Sequence, residues 1–421
     1  MKNNHKLTSI PKIFEMQQVI DPKFLKDEIE KISSFGNRWV GSEGEKSTRR
    51  YLFKRFQELG LEDVEIEEFD CLRYTPKHSK LSVETPLQET IPCFPLEYSG
   101  DGVVKGEIVY VADGSEESIR ALKDLGYSLE GKIALLLSDT PAFRIPKLLE
   151  EGVAGFVVAT DAPEDLIPAL AAKTYPPELE DPMRWRLTVP GVIISRKSLH
   201  RLLSLMSVGK VIVEIRHESE YSIEKTGNVI GILKGLEEER MIVVGAHYDS
   251  QIKGIGVWDN LTGTSLLLAL AQFFRSKRLK KSLVFIAFGA EEIGLWGSTV
   301  YVENHLDELK EKCLCMLCMD AVSSAYPAER SLWSEGWLKD FIMKVCEENG
   351  VSIENTHRLN LSYSDYYPFK VKGIPSAMLW EHPPVNPYYH TEKDTIRYVD
   401  VNKLAFMGTL YAKIISSLDE L

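Results

Sequence analysis

Four apolar runs in the second half of the chain set the tightest limit on how it can fold. They are MIVVGA ending at residue 246, SLVFIAFGA ending at 290, CLCMLCM ending at 319 and IPSAMLW ending at 380. Successive side chains of a strand point to opposite faces, so a run that is apolar throughout needs cover on both faces. The segments NLTGTSLLLALAQFFRSKR, EGWLKDFIMKVCEEN and DVNKLAFMGTLYAKIISSL lie between and after them with helical apolar spacing. Strands alternating with helices predict an α/β fold: a mixed, centrally parallel sheet sandwiched by helices.

The first half reads differently. DPKFLKDEIEKISSF and STRRYLFKRFQELG have helical spacing and are separated by the glycine-rich NRWVGSEGEKS, with Gly60 placed as a C-cap. LEDVEIEEFD then alternates like a strand. From about residue 76 to 218 come short strands (GEIVYV, GKIALLL, GVAGFVVAT, VPGVIIS) interleaved with helical pieces such as KSLHRLLSLM. This predicts a second, smaller α/β module. The expected division is residues 1–75 and 219–421 as one body, with 76–218 inserted into it. A length of 421 residues suits that division at about 150 residues per domain.

Composition excludes several functions. Fifty Lys and Arg against 62 Asp and Glu leave a net charge of −12, a poor match to nucleic acid or an anionic membrane surface. No run approaches the ~18 apolar residues of a membrane span. The start, MKNNHKLTSIPKIFEMQQVI, has no apolar core of a secretory signal, which leads to an expected cytoplasmic location. Six cysteines are too few for a disulfide scaffold. CLCMLC sits in an apolar strand that would point Cys315 and Cys318 to opposite faces, so it is read as core rather than metal site. GSEGEKS lacks phosphate-loop spacing, and HESEY has Tyr221 where a zincin helix needs His.

Hard acids and histidines collect where the apolar runs stop. MIVVGA is followed by His247 and Asp249, SLVFIAFGA by Glu291 and Glu292, and CLCMLCM by Asp320. Asp259 precedes a helix, and His390 follows the last run through a Pro-rich loop. Sites in open α/β sheets form beyond the carboxyl ends of strands, so these residues can converge. Each alone has an ordinary explanation: Asp259 as an N-cap, the Glu pair as solvated surface. Together, imidazoles and carboxylates suit zinc. Two His, two Asp and one Glu hold two ions if one carboxylate bridges them, which leaves one acid of the Glu pair to move protons. Asp249 reads as the group that orients His247, because a metal-bound His usually donates its other N–H to a carboxylate.

GAHYDSQ, GVWDNLTGTSLLLALA, FIAFGAEEIGLWGS, MDAVS and YYHTEKDT resemble the successive motifs of the M28 family of zinc aminopeptidases. NRWVGSEGEKSTRRYLFKRFQELG is similar to that family's N-terminal helix, and the 76–218 module resembles the protease-associated (PA) domain that many members insert. The resemblance implies a zinc-exopeptidase-like fold with two Zn2+, for which Co2+ or Mn2+ would substitute. It implies that His247 and Asp320 hold one ion, Glu292 and His390 the other, and that Asp259 bridges them. Glu291 would be the general base, Asp249 the support of His247, and Tyr389 a hydrogen-bond donor to the developing oxyanion. It further implies a cis peptide at Asp259–Asn260. YSDYYPF departs from the family, with Tyr366 where relatives often carry His.

The expected activity is removal of N-terminal residues from peptides. Two other readings remain open: a carboxypeptidase or dipeptidase of the same fold, and a metal-free PA-bearing binding protein. Peptides are the expected partners, and self-association stays open because some members form large assemblies.

Overall fold

The four apolar runs form neighbouring parallel strands. Glu237–His247 pairs in parallel with Lys281–Phe288 on one side and with Cys313–Cys318 on the other. Cys313–Cys318 in turn pairs in parallel with Ser376–His382. Antiparallel neighbours, Glu329–Ser334 and Ile212–Leu233, make the sheet mixed. The computed structural model describes residues 16–163, 165–382 and 386–421; the first 15 residues, on which much of the localisation reading rests, lie outside them.

Both faces of this sheet are covered, as the unbroken apolar runs require. Ile242, Val244, Leu283, Phe285 and Leu317 pack against helices Thr262–Phe274 and Val401–Asp419. Their alternates Val243, Val284, Ile286 and Met316 pack on the opposite face with Tyr301 and Phe369 of helices Trp296–Asn304 and Tyr366–Val371. Each fully buried large aliphatic side chain contributes about 1.5–3 kcal/mol, so a two-sided sheet collects that term at every position. Cys315 and Cys318 fall on opposite faces, both buried. At the N-terminus, Asp21 caps Pro22–Ser33 and Ser42 caps Glu43–Glu58, each accepting from a backbone N–H of the first turn. Gly60 takes the left-handed conformation just after the second helix, at φ 81°.

Residues between these parts build a second set of strands. Gly102–Tyr110, Ile133–Leu137, Gly155–Ala159 and Gly191–Ile194 pair in parallel, and Cys93–Pro95 closes the edge antiparallel. Apolar clusters cover both faces here as well. Two long strands, Glu62–Thr85 and Ile212–Leu233, join the two regions as one antiparallel ladder. The second borders Lys281–Phe288 near its end and Gly102–Tyr110 near its start, which makes a single sheet of 14 strands. The divisions at 75/76 and 218/219 therefore fall inside these two strands. No helix among the described residues is long and apolar enough to cross a membrane.

Candidate metal centre

His247 is the last residue of its strand, and Thr264 Oγ1 donates to its carbonyl at 2.7 Å. The neighbouring strand ends at Phe288 and turns sharply, with Ala290 at φ 59°. Asp249 holds that turn: its two oxygens accept from Glu291 N and Glu292 N, each at 3.1 Å. The same Asp249 Oδ1 lies 3.5 Å from His247 Nδ1. Asp259 lies in an irregular turn before Thr262–Phe274 and does not cap that helix. Its peptide with Asn260 is cis. Asn260 ties this turn to the Asp320 loop, donating to Met319 O at 2.9 Å and accepting from Ala321 N at 3.2 Å. Asp394 backs the turn, accepting from Trp258 N at 3.0 Å and Asp259 N at 3.2 Å.

These supports bring all five predicted ligands together. Asp259 Oδ1 lies 3.1 Å from His247 Nε2, and Asp259 Oδ2 lies 3.1 Å from His390 Nε2. Asp320 Oδ1 is 3.2 Å from the same His247 nitrogen, and Glu292 Oε2 is 3.3 Å from the same His390 nitrogen. Two triads thus share one carboxylate: His247–Asp259–Asp320 and Asp259–Glu292–His390. Ligand bonds of ~2.0–2.1 Å in a tetrahedron set donor atoms about 3.3 Å apart, which matches these separations. The predicted base is adjacent, with Glu291 Oε2 3.9 Å from His247 Nε2.

Charge points the same way. Burial, and then the Asp259 carboxylate, push Glu292 up to about 7. Burial also pushes Glu291 well above the usual carboxylate range. Burial works to raise Asp259 too, but hydrogen bonds from His247 and His390 outweigh it and hold that group low. Burial works to lower His390, but Glu292 and Asp259 outweigh it and lift the imidazole to about 10. Glu292 Oε1 is buried without a hydrogen-bond partner among the described residues. A dry cluster of acids with an orphaned oxygen and only two imidazoles calls for added positive charge, so the donor set fits divalent cations.

Tyr389 stacks on His390 with ring centroids 3.5 Å apart and meets Trp258 edge-on at 5.7 Å. Burial, and then Asp259, Glu292, Asp320 and Glu291, raise its hydroxyl. Tyr366 belongs to the wall: its ring is buried in the sheet's second face and its hydroxyl donates to Leu361 O at 2.6 Å.

Three supporting residues carried no signal strong enough to single them out in sequence: Asp394, Arg38 and Glu97. Arg38 is fully buried and donates to the carbonyls of Tyr248 at 2.6 Å, Gly256 at 2.9 Å and Ile255. Burial pulls its guanidinium down to about 10, still charged at neutral pH. Glu97 comes from the second set of strands. It is 0% exposed, and neither carboxylate oxygen has a hydrogen-bond partner among the described residues.

Burial pushes the Glu97 carboxyl from 4.5 up to about 8, and the charges it senses include His390, Glu292 and Lys253. The unfolded chain gives up this proton above its ordinary value while the folded chain keeps it. Stability therefore falls with rising pH between the two values, by up to about 1.4 kcal/mol per pH unit. Glu97→Gln does not titrate. In urea unfolding of metal-free protein, its stability advantage over the parent is expected to open between pH 5 and 8 and then level off. A difference that stays constant across that range would refute the assignment.

All eight predicted site residues from His247 to His390 lie in one stretch of similarity. Residues 228–415 match the model of Peptidase family M28. Aminopeptidase YwaD of Bacillus subtilis (strain 168) is 26% identical over 390 residues, which cover 90% of this chain and 80% of that protein. The chain is a metallo-exopeptidase. The peptidase is also 24% identical over 433 residues to a probable glutamate carboxypeptidase, AMP1, of Arabidopsis thaliana. That alignment covers 85% of the peptidase but 61% of AMP1. Among solved structures, its fold matches BSAP, a zinc aminopeptidase from Bacillus subtilis, with a TM-score of 0.71 and 23% identity over 96% of each chain.

Proposed function

We propose that this peptidase is a two-zinc aminopeptidase. The observation that carries the reading is Asp259, whose two oxygens each face a different imidazole at 3.1 Å. His247, Asp259 and Asp320 would hold one ion; Asp259, Glu292 and His390 the other. When bound, such a pair polarises the scissile carbonyl and makes a water acidic enough to act as nucleophile near neutral pH. Glu291 accepts that water's proton and passes it to the leaving amine. Tyr389 donates its O–H to the developing oxyanion. Asp249 keeps the Glu291–Glu292 turn and His247 in register. Residues 76–218 are read as an inserted PA-like domain.

Preference for the amino end is supported by charge. The pocket is rich in acids that attract a free α-ammonium. The cations beside it, Arg38 and Lys253, are engaged with backbone carbonyls rather than open to a substrate carboxylate. The carboxypeptidase reading keeps one specific support, the similarity to AMP1. Matched peptides with free and acetylated N-termini, assayed beside a zinc determination, separate the readings. Hydrolysis confined to the free-amine peptide with zinc bound is the expected result. Equal turnover of both peptides would reject amino-end specificity, and a protein that binds no zinc would be the binding-protein alternative.

A further inference from the structure

His390 is held by the second set of strands, not only by its own loop. Its Nδ1 donates to Ala169 O at 3.0 Å, and Ala169 N donates back to His390 O at 2.9 Å. This reciprocal pair places one proton on Nδ1, so Nε2, which faces Asp259 and Glu292, is the nitrogen that would hold an ion once its own proton is displaced. It also secures a backbone that needs securing, because His390 has φ 58°. A side chain with a Cβ occupies that region at a cost of order 1–3 kcal/mol, met by its surroundings.

The strap carrying Ala169 is anchored on both sides. Glu97 N donates to Leu170 O at 3.0 Å, and Ala172 N donates to Glu97 O at 2.8 Å, which pins the strap to the second set of strands. Lys253 Nζ donates to Ile167 O at 2.6 Å, which pins it to the loop after His247. Pro168 lies between these contacts with its φ fixed by the ring, so the Ile167 and Ala169 bonds are set relative to each other. Shifting the strap would shift His390.

We infer that Ile167–Ala172 is a positioning strap for the ion held by Asp259, Glu292 and His390, so that the region 76–218 governs that ion and leaves the other largely alone. The inference rests on the two-ion reading. His247, Asp259 and Asp320 receive no hydrogen bond from the strap in the contacts that define the site, so a loss confined to one ion distinguishes positioning from general destabilisation.

The test is zinc titration of the full chain by calorimetry, with metal content measured on the same samples. The parent is expected to bind two ions. Ala169→Pro removes the N–H that donates to His390 O and keeps the carbonyl that accepts from Nδ1. It is expected to weaken one ion by up to about 10-fold, the effect of losing one hydrogen bond that seats the His390 backbone and hence its imidazole. His390→Ala identifies that ion by removing its ligand. A folded A169P protein that binds both ions as the parent does would overturn the inference. A parent that binds fewer than two ions would instead overturn the two-ion reading on which it stands.

A second measurement needs no substitution in the strap. Coupling is reciprocal, so the ion must stabilise the strap by the factor with which the strap stabilises the ion. Adding zinc to the parent is expected to slow hydrogen exchange at the Ala169 amide by about 10-fold, and this slowing is expected to vanish in His390→Ala. Unchanged exchange at Ala169 with both sites filled would reject the strap even if A169P does not fold.

Discussion

Glu291→Gln is expected to lower kcat by about 10²–10⁴-fold while the protein keeps the zinc content of the parent. Glutamine preserves the shape and the backbone N–H that donates to Asp249 at 3.1 Å, so the turn and the neighbouring Glu292 stay in place. What it loses is the ability to take a proton. Glu291 suits that task because it is buried, sits 3.9 Å from His247, and is raised well above the usual carboxylate range by burial. Glu292→Gln provides the contrast: it alters an oxygen 3.3 Å from His390 and should release an ion. Paired kcat and zinc measurements on the two variants check the division of labour. Full activity in E291Q would place the base elsewhere.

Arg38→Met should destabilise the fold by roughly 2–5 kcal/mol, the range for leaving buried carbonyls without their donor. Two effects compete. Methionine relieves the cost of burying a guanidinium, but it orphans the carbonyls of Tyr248 and Ile255, at about 1–3 kcal/mol each, and leaves Gly256 O with only Leu261 N at 3.4 Å. The carbonyls win because the loop between them is tied down: Asn37 Nδ2 donates to Gln251 O at 2.7 Å and Gly254 O at 2.6 Å, which holds them away from water. The loop joins His247 to Asp259, so zinc binding should weaken with stability. Arg38→Lys should fall between, since a single ammonium cannot reproduce the forked donor set. Urea unfolding midpoints and zinc affinities of the two variants give the measurement, and an R38M protein as stable as the parent would contradict it.

The cluster was legible in the chain because His247, the Glu291–Glu292 pair and Asp320 each follow an apolar strand, and strands that must be covered on both faces deliver their ends to one place. The split between Glu291 and Glu292 came from the family resemblance; of the pair, Glu292 lies 3.3 Å from His390. Arg38 left no such trace. Its partners are backbone carbonyls, which any sequence supplies, and they lie far along the chain. Asp394 is one polar residue in a polar loop, and its partners are the backbone groups of Trp258 and Asp259 and the nearby amide of Asn386. Glu97 stands among apolar and aromatic neighbours with no periodicity to mark it. The change of texture near residue 76 suggested a boundary, yet the strand continues through Pro76 with a register shift between Pro76 and His78. A bulge absorbs the missing N–H that would otherwise end the pairing.

On the ladder between the two long strands, Thr75 stands opposite Glu220 and Pro76 opposite Ser219. The chain therefore departs and comes back at facing rungs. In outline this is the stem of a hairpin whose tip has been replaced by more than a hundred residues, and growth at that point leaves the rungs below undisturbed. Because the chain both enters and leaves through paired backbone, what sits at the far end is oriented by the register of the stem.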